Sequence, residues 1–429
     1  MRAADHKLLG ETGPGTPMGK LLRRYWTAAL LSRELPERDG APVRVRILGE
    51  DLIAFRNSNG EVGLLAEHCS HSGPSLHFGE NKDCGLRCWY HGWKYDIHGD
   101  CVDMPNEPPG RVFKEKLKHT AYPCVEKGGV VFAYLGPPAK KPKLPALEWL
   151  TVPESHVYVS KRLQNCHWTQ GMDGDIDGAH LTFLHGKTDA LDKAPDLKGS
   201  NSVDWLRQDI HPTFHMRKTP GRILLATRRR AGETDYYYRI NQWFMPGYTT
   251  IPLPGDGTLA GHSWVPVDDT RSWTFTWSWH PKRPLTDAER EEFASAKVSV
   301  HARLIPGTFL PYYNRSNDWA GPDAAPARQP WMRVKNFQAQ DMGITESMGH
   351  LYDRTKETLG STDVVIVAVR RALVEAARAV AKGKDAPGRD PQNYALRPFS
   401  ALLPREVDDW AGAVGDAIET RPETFRYSV

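Results

Sequence analysis

The feature that most restricts this chain is a pair of short segments, each carrying one cysteine and one histidine. His68-Cys69-Ser70-His71 gives C-x-H, and after sixteen further residues Cys88-Trp89-Tyr90-His91 gives C-x-x-H. Two thiols and two imidazoles must then converge from two loops, and Gly73, Gly79 and Gly92 supply the tight turns that such loops need. Zinc accepts two Cys and two His, but zinc loops usually pair ligands of one type at two-to-four-residue spacing. Each loop here supplies one of each, so both thiolates can go to one metal and both imidazoles to another.

The remaining cysteines support a metal reading over a disulfide framework. Cys69, Cys84, Cys88, Cys101, Cys124 and Cys166 all fall in one stretch, and none follows in a chain of 429 residues. Disulfide scaffolds belong to small secreted chains, and Met1–Lys20 is polar and glycine-rich with no apolar leader. Cys84, Cys101, Cys124 and Cys166 read as structural thiols. Fifty-six basic against 52 acidic residues leave +4, too little to point to nucleic acid or a membrane surface. The longest strongly apolar run, Val364–Val369, is far short of the ~18 residues of a membrane span. A cytoplasmic protein is the expectation.

The fold class expected is α+β. Val43–Leu48, Leu52–Phe55 and Gly129–Leu135 read as short strands around the loops that hold most of the cysteines, a small all-β unit. Residues 136–145 hold four prolines and read as a linker. Beyond it, residues 222–279 alternate aromatic and polar side chains, as a large antiparallel sheet would. Residues 364–382 predict a long C-terminal helix capped by Ser361, Thr362 or Asp363. The division expected is 1–40 as an N-terminal segment packing on the catalytic domain, 41–145 as the cysteine-bearing β domain, and 146–429 as the catalytic domain.

Two thiolates on one iron and two imidazoles on the other is the ligand division of a Rieske [2Fe–2S] centre. A second constellation follows at Asp177-Gly178-Ala179-His180, with His185 five residues on. Asp177 and His180 would share a helix face, whereas an ideal helix turns His185 roughly 140° away from His180. Both histidines can reach one metal only if the helix ends or bulges between them, with Gly186 a plausible stop. Two histidines and a distant carboxylate make the facial triad of non-haem Fe(II) oxygenases.

The chain resembles the Rieske non-haem iron aromatic-ring oxygenases over nearly its whole length, from Leu8-Leu9-Gly10 and Pro17-Met18-Gly19 to the C-terminal helix. Within them it looks most like the terminal oxygenase (alpha) subunits of the phthalate dioxygenase group, through Cys84–Asp96 and Cys101-Val102-Asp103-Met104-Pro105. Ser70 and Ser72 stand where the family often has Pro and Arg, and His167 and Asp173 where relatives often have Asn and Glu. The resemblance implies Cys69, His71, Cys88 and His91 as cluster ligands. It implies His180, His185 and Asp341 as ligands of a mononuclear Fe(II), with Glu346 the competing carboxylate. Asp177 is then the bridge between the two metal centres of neighbouring subunits in a homotrimer.

A separate reductase or ferredoxin is implied, passing on electrons from NAD(P)H, since no Rossmann fingerprint is present; Gly10–Gly15 follows no strand and contains a proline. O2 is the co-substrate. The group acts on aromatic carboxylates, by phthalate-type ring dihydroxylation or, in the alternative, by O-demethylation of a methoxylated lignin-type acid. An electron carrier without catalytic activity is the reading from another class. An acid substrate needs a cation, ideally the fork of an arginine. Arg239, after Tyr236-Tyr237-Tyr238, and Arg207 are the choices, both expected in the sheet region, with Arg228-Arg229-Arg230 behind them. A solvated strand arginine is the competing reading for each.

Overall fold

Short β-prone runs broken by glycine turns close three small antiparallel sheets in the first third of the chain. The computed structural model describes residues 1–186, 202–253, 257–296, 300–320, 333–334 and 336–420. Val43–Ile47, Glu50–Arg56 and Val62–Ala66 form one sheet, and Glu80–Lys82, Gly85–Arg87, Lys94–Tyr95 and Cys101–Asp103 a second. These two enclose their own core, in which Ile53, Phe55, Leu65, Leu76, Leu86 and Tyr95 pack around Cys69 and Cys88. The third sheet joins Thr27–Leu31, Val130–Ala133 and Cys124–Lys127.

That third sheet corrects the expected boundary at residue 40. Thr27–Leu31 pairs strand to strand with Val130–Ala133, so the N-terminal segment is divided between the two units. Its helices Ala3–Gly10 and Pro17–Leu22 pack instead on the C-terminal helix Val364–Ala381. The C-terminal helix lies where the sequence puts it, and the Asp363 carboxylate accepts from Gly360 N at 2.6 Å just ahead of it. The proline-rich segment is tied down: Pro142 accepts from Trp26 Nε1 (2.9 Å) and Lys140 pairs with Asp385 (2.8 Å).

The larger unit is built on an eight-stranded antiparallel sheet. Its order is Val157–Gln164, Ser272–Trp279, Leu259–Pro266, Tyr248–Pro252, Asp235–Phe244, Arg222–Ala231, Thr213–Thr219, and Phe399–Pro404 also pairs with Asp235–Phe244. The aromatic alternation that suggested the sheet ends in buried Trp243, Phe244, Trp264, Phe275, Trp277 and Trp279. The β unit is fastened to this sheet through backbone: Leu48 N and Gly49 N donate to Pro266 O and Val267 O (2.7 and 2.9 Å). Among the described residues no helix is long and apolar enough to cross a membrane.

Helix Trp168–Ile176 carries the second motif onto the sheet. It can lie that close because residue 171 is glycine: a Cβ there would collide with the Trp264 ring, whereas one on Gly174 meets nothing within 4 Å. Gly171→Ala should therefore lower unfolding stability by about 1–3 kcal/mol through overpacking. Gly174→Ala should leave it unchanged or raise it, since alanine is the better helix former. Calorimetric melting of the two variants checks the contrast.

Candidate metal centres and substrate cavity

The two cysteine loops have the same backbone design. Cys69 N donates to Pro74 O and Cys88 N to Trp93 O, five residues on in each case (2.9 and 2.8 Å). Gly73 N and Gly92 N then return to the carbonyls of Cys69 and Cys88, both at 2.9 Å. The returns need left-handed backbone at Gly73 (φ +85°) and Gly92 (φ +82°), which explains the glycine in each loop. The thiols turn inward and are buried, while His71 is exposed and His91 half-buried at the tip.

The geometry of the four side chains fits a sulfide-bridged iron pair. The His71 and His91 rings lie 4.4 Å apart, edge to face, and His71 stacks on Trp93 at 4.4 Å. His91 Nδ1 is buried with no hydrogen-bond partner among the described residues, as a nitrogen reserved for a metal would be. Burial pushes the Cys88 thiol up, partly offset by N–H groups of Tyr90 and His91, and the nearby Cys69 raises it again. Two such sulfurs ionise together only against a cation, which iron supplies. Tyr95 OH lies 3.2 Å from Cys69 Sγ.

In the larger unit the helix ends ahead of the motif, and a bulge lies between its two histidines. Asp177 caps Trp168–Ile176 in extended backbone, and Leu181–His185 forms one π-helical turn. A π-turn repeats at five residues, so His180 and His185 come to one side with ring centroids 5.2 Å apart. The shared helix face expected for Asp177 and His180 is not how they meet: the helix stops at Asp177, whose Oδ1 accepts from Ala179 N at 2.7 Å. Its Oδ2 still lies 3.5 Å from His180 Nδ1. Residue 178 is glycine because a Cβ there would collide with Thr227 Oγ1, and Arg229 donates to Gly178 O (2.7 Å) and Thr182 Oγ1 (3.3 Å).

Helix Phe337–Ser347 brings the third group. Asp341 Oδ1 lies 3.0 Å from His185 Nε2 and 3.8 Å from His180 Nε2, and one ligand atom from each residue falls within 4.8 Å of the others, a group able to hold a metal ion. Glu346 is engaged elsewhere, accepting from Asn165 N at 3.0 Å. Gln340, which the sequence reading did not single out, accepts from His185 Nδ1 at 2.8 Å and donates to Val334 O at 2.9 Å. Its amide orientation is thereby fixed, and with it the His185 tautomer that leaves Nε2 for a metal. Phe337 stacks on His185 at 3.7 Å.

The charges of the triad are mutually supporting. Burial raises the Asp341 carboxyl, but His185 and His180 outweigh it and hold it below the ordinary value. For Asp177 burial again raises, and the His180 contact with the Ala179 and His180 N–H groups brings it down. Burial lowers His180, and Asp177 with Asp341 more than restores it. Asp173 goes the other way: burial lifts it to about 7 despite Arg354.

The triad opens on a cavity whose walls include Leu181, Leu206, Tyr237, Arg239, Ile251, Leu253, Val300 and Phe337. Of the arginines, Arg239 lies on this wall, donating to Asn241 Oδ1 at 3.0 Å. Arg207 does not: it belongs to helix Ser202–Gln208 rather than the sheet, and its Nε donates to Gly186 O at 2.8 Å, closing the π-turn. Arg228 bonds Thr213 and lies over Tyr236, and Arg230 lies 3.6 Å from Asp209. The cavity also shows Asp175, which accepts from His262, Trp264 and Thr249 and which no local sequence signal marked.

Comparison with known proteins agrees with this geometry. Residues 25–123 match the Rieske [2Fe-2S] domain, and residues 133–424 match the family described as LigXa C-terminal domain like. The chain is 34% identical over 429 residues to the oxygenase subunit of 3-chlorobenzoate-3,4-dioxygenase from Comamonas testosteroni, covering 97% of this chain and 98% of that one. It is also 34% identical over 418 residues to the phthalate 4,5-dioxygenase oxygenase subunit of Pseudomonas putida, covering 94% and 93%. The terminal oxygenase of carbazole 1,9a-dioxygenase from Novosphingobium sp. KA1 has the same fold, with TM-score 0.59, 20% identity, and 88% and 97% of the two chains covered. A Rieske cluster, a mononuclear iron, O2 and electrons from a separate reductase or ferredoxin are the working parts of such an enzyme. With both halves matched and a whole-length relative at this identity, the chain belongs to the Rieske oxygenases, as a terminal oxygenase subunit.

Proposed function

We propose that this oxygenase hydroxylates an aromatic carboxylate by phthalate-type ring dihydroxylation, with Cys69, His71, Cys88 and His91 holding the cluster and His180, His185 and Asp341 the mononuclear iron. The observation that carries the reading is the metal-ready triad opening on a largely apolar cavity with one cation among the described residues, Arg239, on its wall. Bound iron supplies dioxygen activation there, driven by electrons from the cluster.

The chain's own residues do the rest. Gln340 fixes the His185 ring, Asp177 orients His180, and Phe337 covers the face of His185. Arg239 is partly buried among Tyr237, Asn241 and Ser400, where a guanidinium recognises a carboxylate with little competition from water. Asp177 is the proposed bridge between metal centres of neighbouring subunits in a homotrimer. The exposed Trp89 and Tyr90 beside His91 give the cluster tip an apolar rim suited to that docking.

Incubation of the holoenzyme with a reductase, NAD(P)H and a panel of benzoates should consume O2 and yield ring cis-diols. Formaldehyde from methoxylated acids in place of diols would move the reading to O-demethylation, and no turnover of any aryl acid would reject it. Asp177→Asn should keep the iron content and the Rieske EPR signal while turnover falls by at least about 100-fold, the scale of a lost catalytic positioning group; undiminished turnover would remove the bridge role. Gln340→Leu should weaken iron binding roughly 10–100-fold with the cluster spectrum unchanged, read by metal titration. Arg239→Leu should weaken aryl-acid binding about 10–100-fold, the worth of a lost charge-assisted hydrogen bond, measured by calorimetry.

A further inference from the structure

The cavity has a second polar group on its wall beside the metal triad and Arg239. Strand Leu259–Pro266 places His262 and Trp264 two residues apart, hence on one face of the sheet, toward helix Trp168–Ile176. Asp175, near the end of that helix, receives His262 Nδ1 at 2.8 Å, Trp264 Nε1 at 2.7 Å and the Thr249 hydroxyl. All three hydrogen bonds go to the same oxygen, Oδ2. Three donors from three directions hold the carboxylate still, and it holds the imidazole still in turn.

The tautomer follows from that arrangement. An ionised carboxylate only accepts, so Nδ1 of His262 must carry the hydrogen, and in the neutral ring Nε2 is a bare acceptor. His262 is 2% exposed and lies on the cavity wall, and Nε2 is buried with no hydrogen-bond partner among the described residues. The buried His301, by contrast, is used at both nitrogens: it meets Ser160 Oγ through Nδ1 and Ser278 Oγ through Nε2. A buried acceptor left unpaired is costly, and a ligand that brings the missing donor recovers that cost.

We propose that His262, oriented by Asp175, is a specificity residue that accepts a hydrogen bond from a hydroxyl group on the aromatic substrate. The substrate class is then a hydroxylated aryl carboxylate, its acid toward Arg239 and its hydroxyl toward His262. This rests on the aryl-acid reading above. Asp175 is a positioning residue: it acts through His262, holding the hydrogen on Nδ1 so that Nε2 accepts.

The test uses the holoenzyme and calorimetric binding of benzoate, its three hydroxy isomers and the matching methoxy isomers. The wild type should bind one hydroxybenzoate at least about ten-fold tighter than benzoate, the discrimination expected of a site that pairs a buried polar atom with a substrate hydroxyl. In His262→Phe that preference should vanish while the benzoate affinity stays within about two-fold. Asp175→Leu removes the acceptor that holds the hydrogen on Nδ1, so the hydroxy preference should be lost. Asp175→Asn, whose amide oxygen can still accept from Nδ1, Trp264 Nε1 and Thr249, should keep it. An equal hydroxy preference in the wild type and His262→Phe would overturn the inference, as would no hydroxy preference in the wild type. Asp175→Leu with an unaltered preference would overturn the positioning role. Absence of binding by any of these acids would instead reject the aryl-acid reading, so the two failures are distinct.

Discussion

Two imidazoles five residues apart face one ion only if the backbone leaves the α-helix between them, and the catalytic unit is arranged around that demand. The departure is local. Helix Trp168–Ile176 stops at Asp177, and the chain then re-coils as a π-turn through His185. A π-turn has few intrinsic supports, so neighbours supply them. Arg229 reaches from the sheet to Gly178 O and Thr182 Oγ1, and Arg207 reaches from its helix to Gly186 O. The collision a Cβ at Gly178 would make with Thr227 shows how tightly the turn is seated. An arginine expected at the substrate thus belongs to the frame that shapes the metal site.

The cluster unit meets a related demand by other means. Two loops of equal backbone design, each closed by a glycine with positive φ, present two sulfurs to the interior and two imidazoles to the surface. The asymmetry matters for a relay: the buried side keeps the sulfurs dry, and the exposed side brings the histidines to the edge where a partner can approach. Fastening Leu48 and Gly49 to the end of strand Leu259–Pro266, inside the large sheet, fixes that tip relative to its own catalytic unit. The simple electron-carrier reading does not survive the second half of the chain, whose sheet and helices assemble a metal-ready triad around a cavity.

Candidate ligand residues were legible because metal chemistry restricts both residue type and spacing. Cys69, His71, Cys88 and His91 stand out from the sequence for that reason, and so do His180 and His185 with the requirement for a bulge. Asp341 needed the resemblance, since 155 residues separate its neighbour Gln340 from His185 and no local spacing links them. Arg207 was misassigned because Ser202–Gln208 has no strong period to separate helix from strand, and the fold decided. Gln340, Asp175 and His262 were invisible for a further reason. Each acts through long-range hydrogen bonds, as between His262 and Asp175 across 87 residues, and pattern reading has no access to such pairs. The boundary at residue 40 failed likewise, because Thr27–Leu31 finds its partner about a hundred residues on, at Val130–Ala133.

The cavity combines these levels. Its apolar walls bind a ring through area alone and cannot choose among rings of similar size, where one methylene is worth only about 1–3 kcal/mol. Discrimination has to come from the few polar groups on the wall, and each is held by a partner that fixes what it offers. Arg239 is braced by Asn241, His185 is fixed by Gln340, and His262 is set by Asp175. A cation, a candidate ligand nitrogen and a buried acceptor are therefore presented with their orientation settled before any substrate enters. That lowers the ordering cost of binding and leaves the ring's substituents to decide which carbon faces the iron. Regiochemistry then depends on the spacing of these three groups, set by the register of the Asp235–Phe244 and Leu259–Pro266 strands and by where helix Trp168–Ile176 ends.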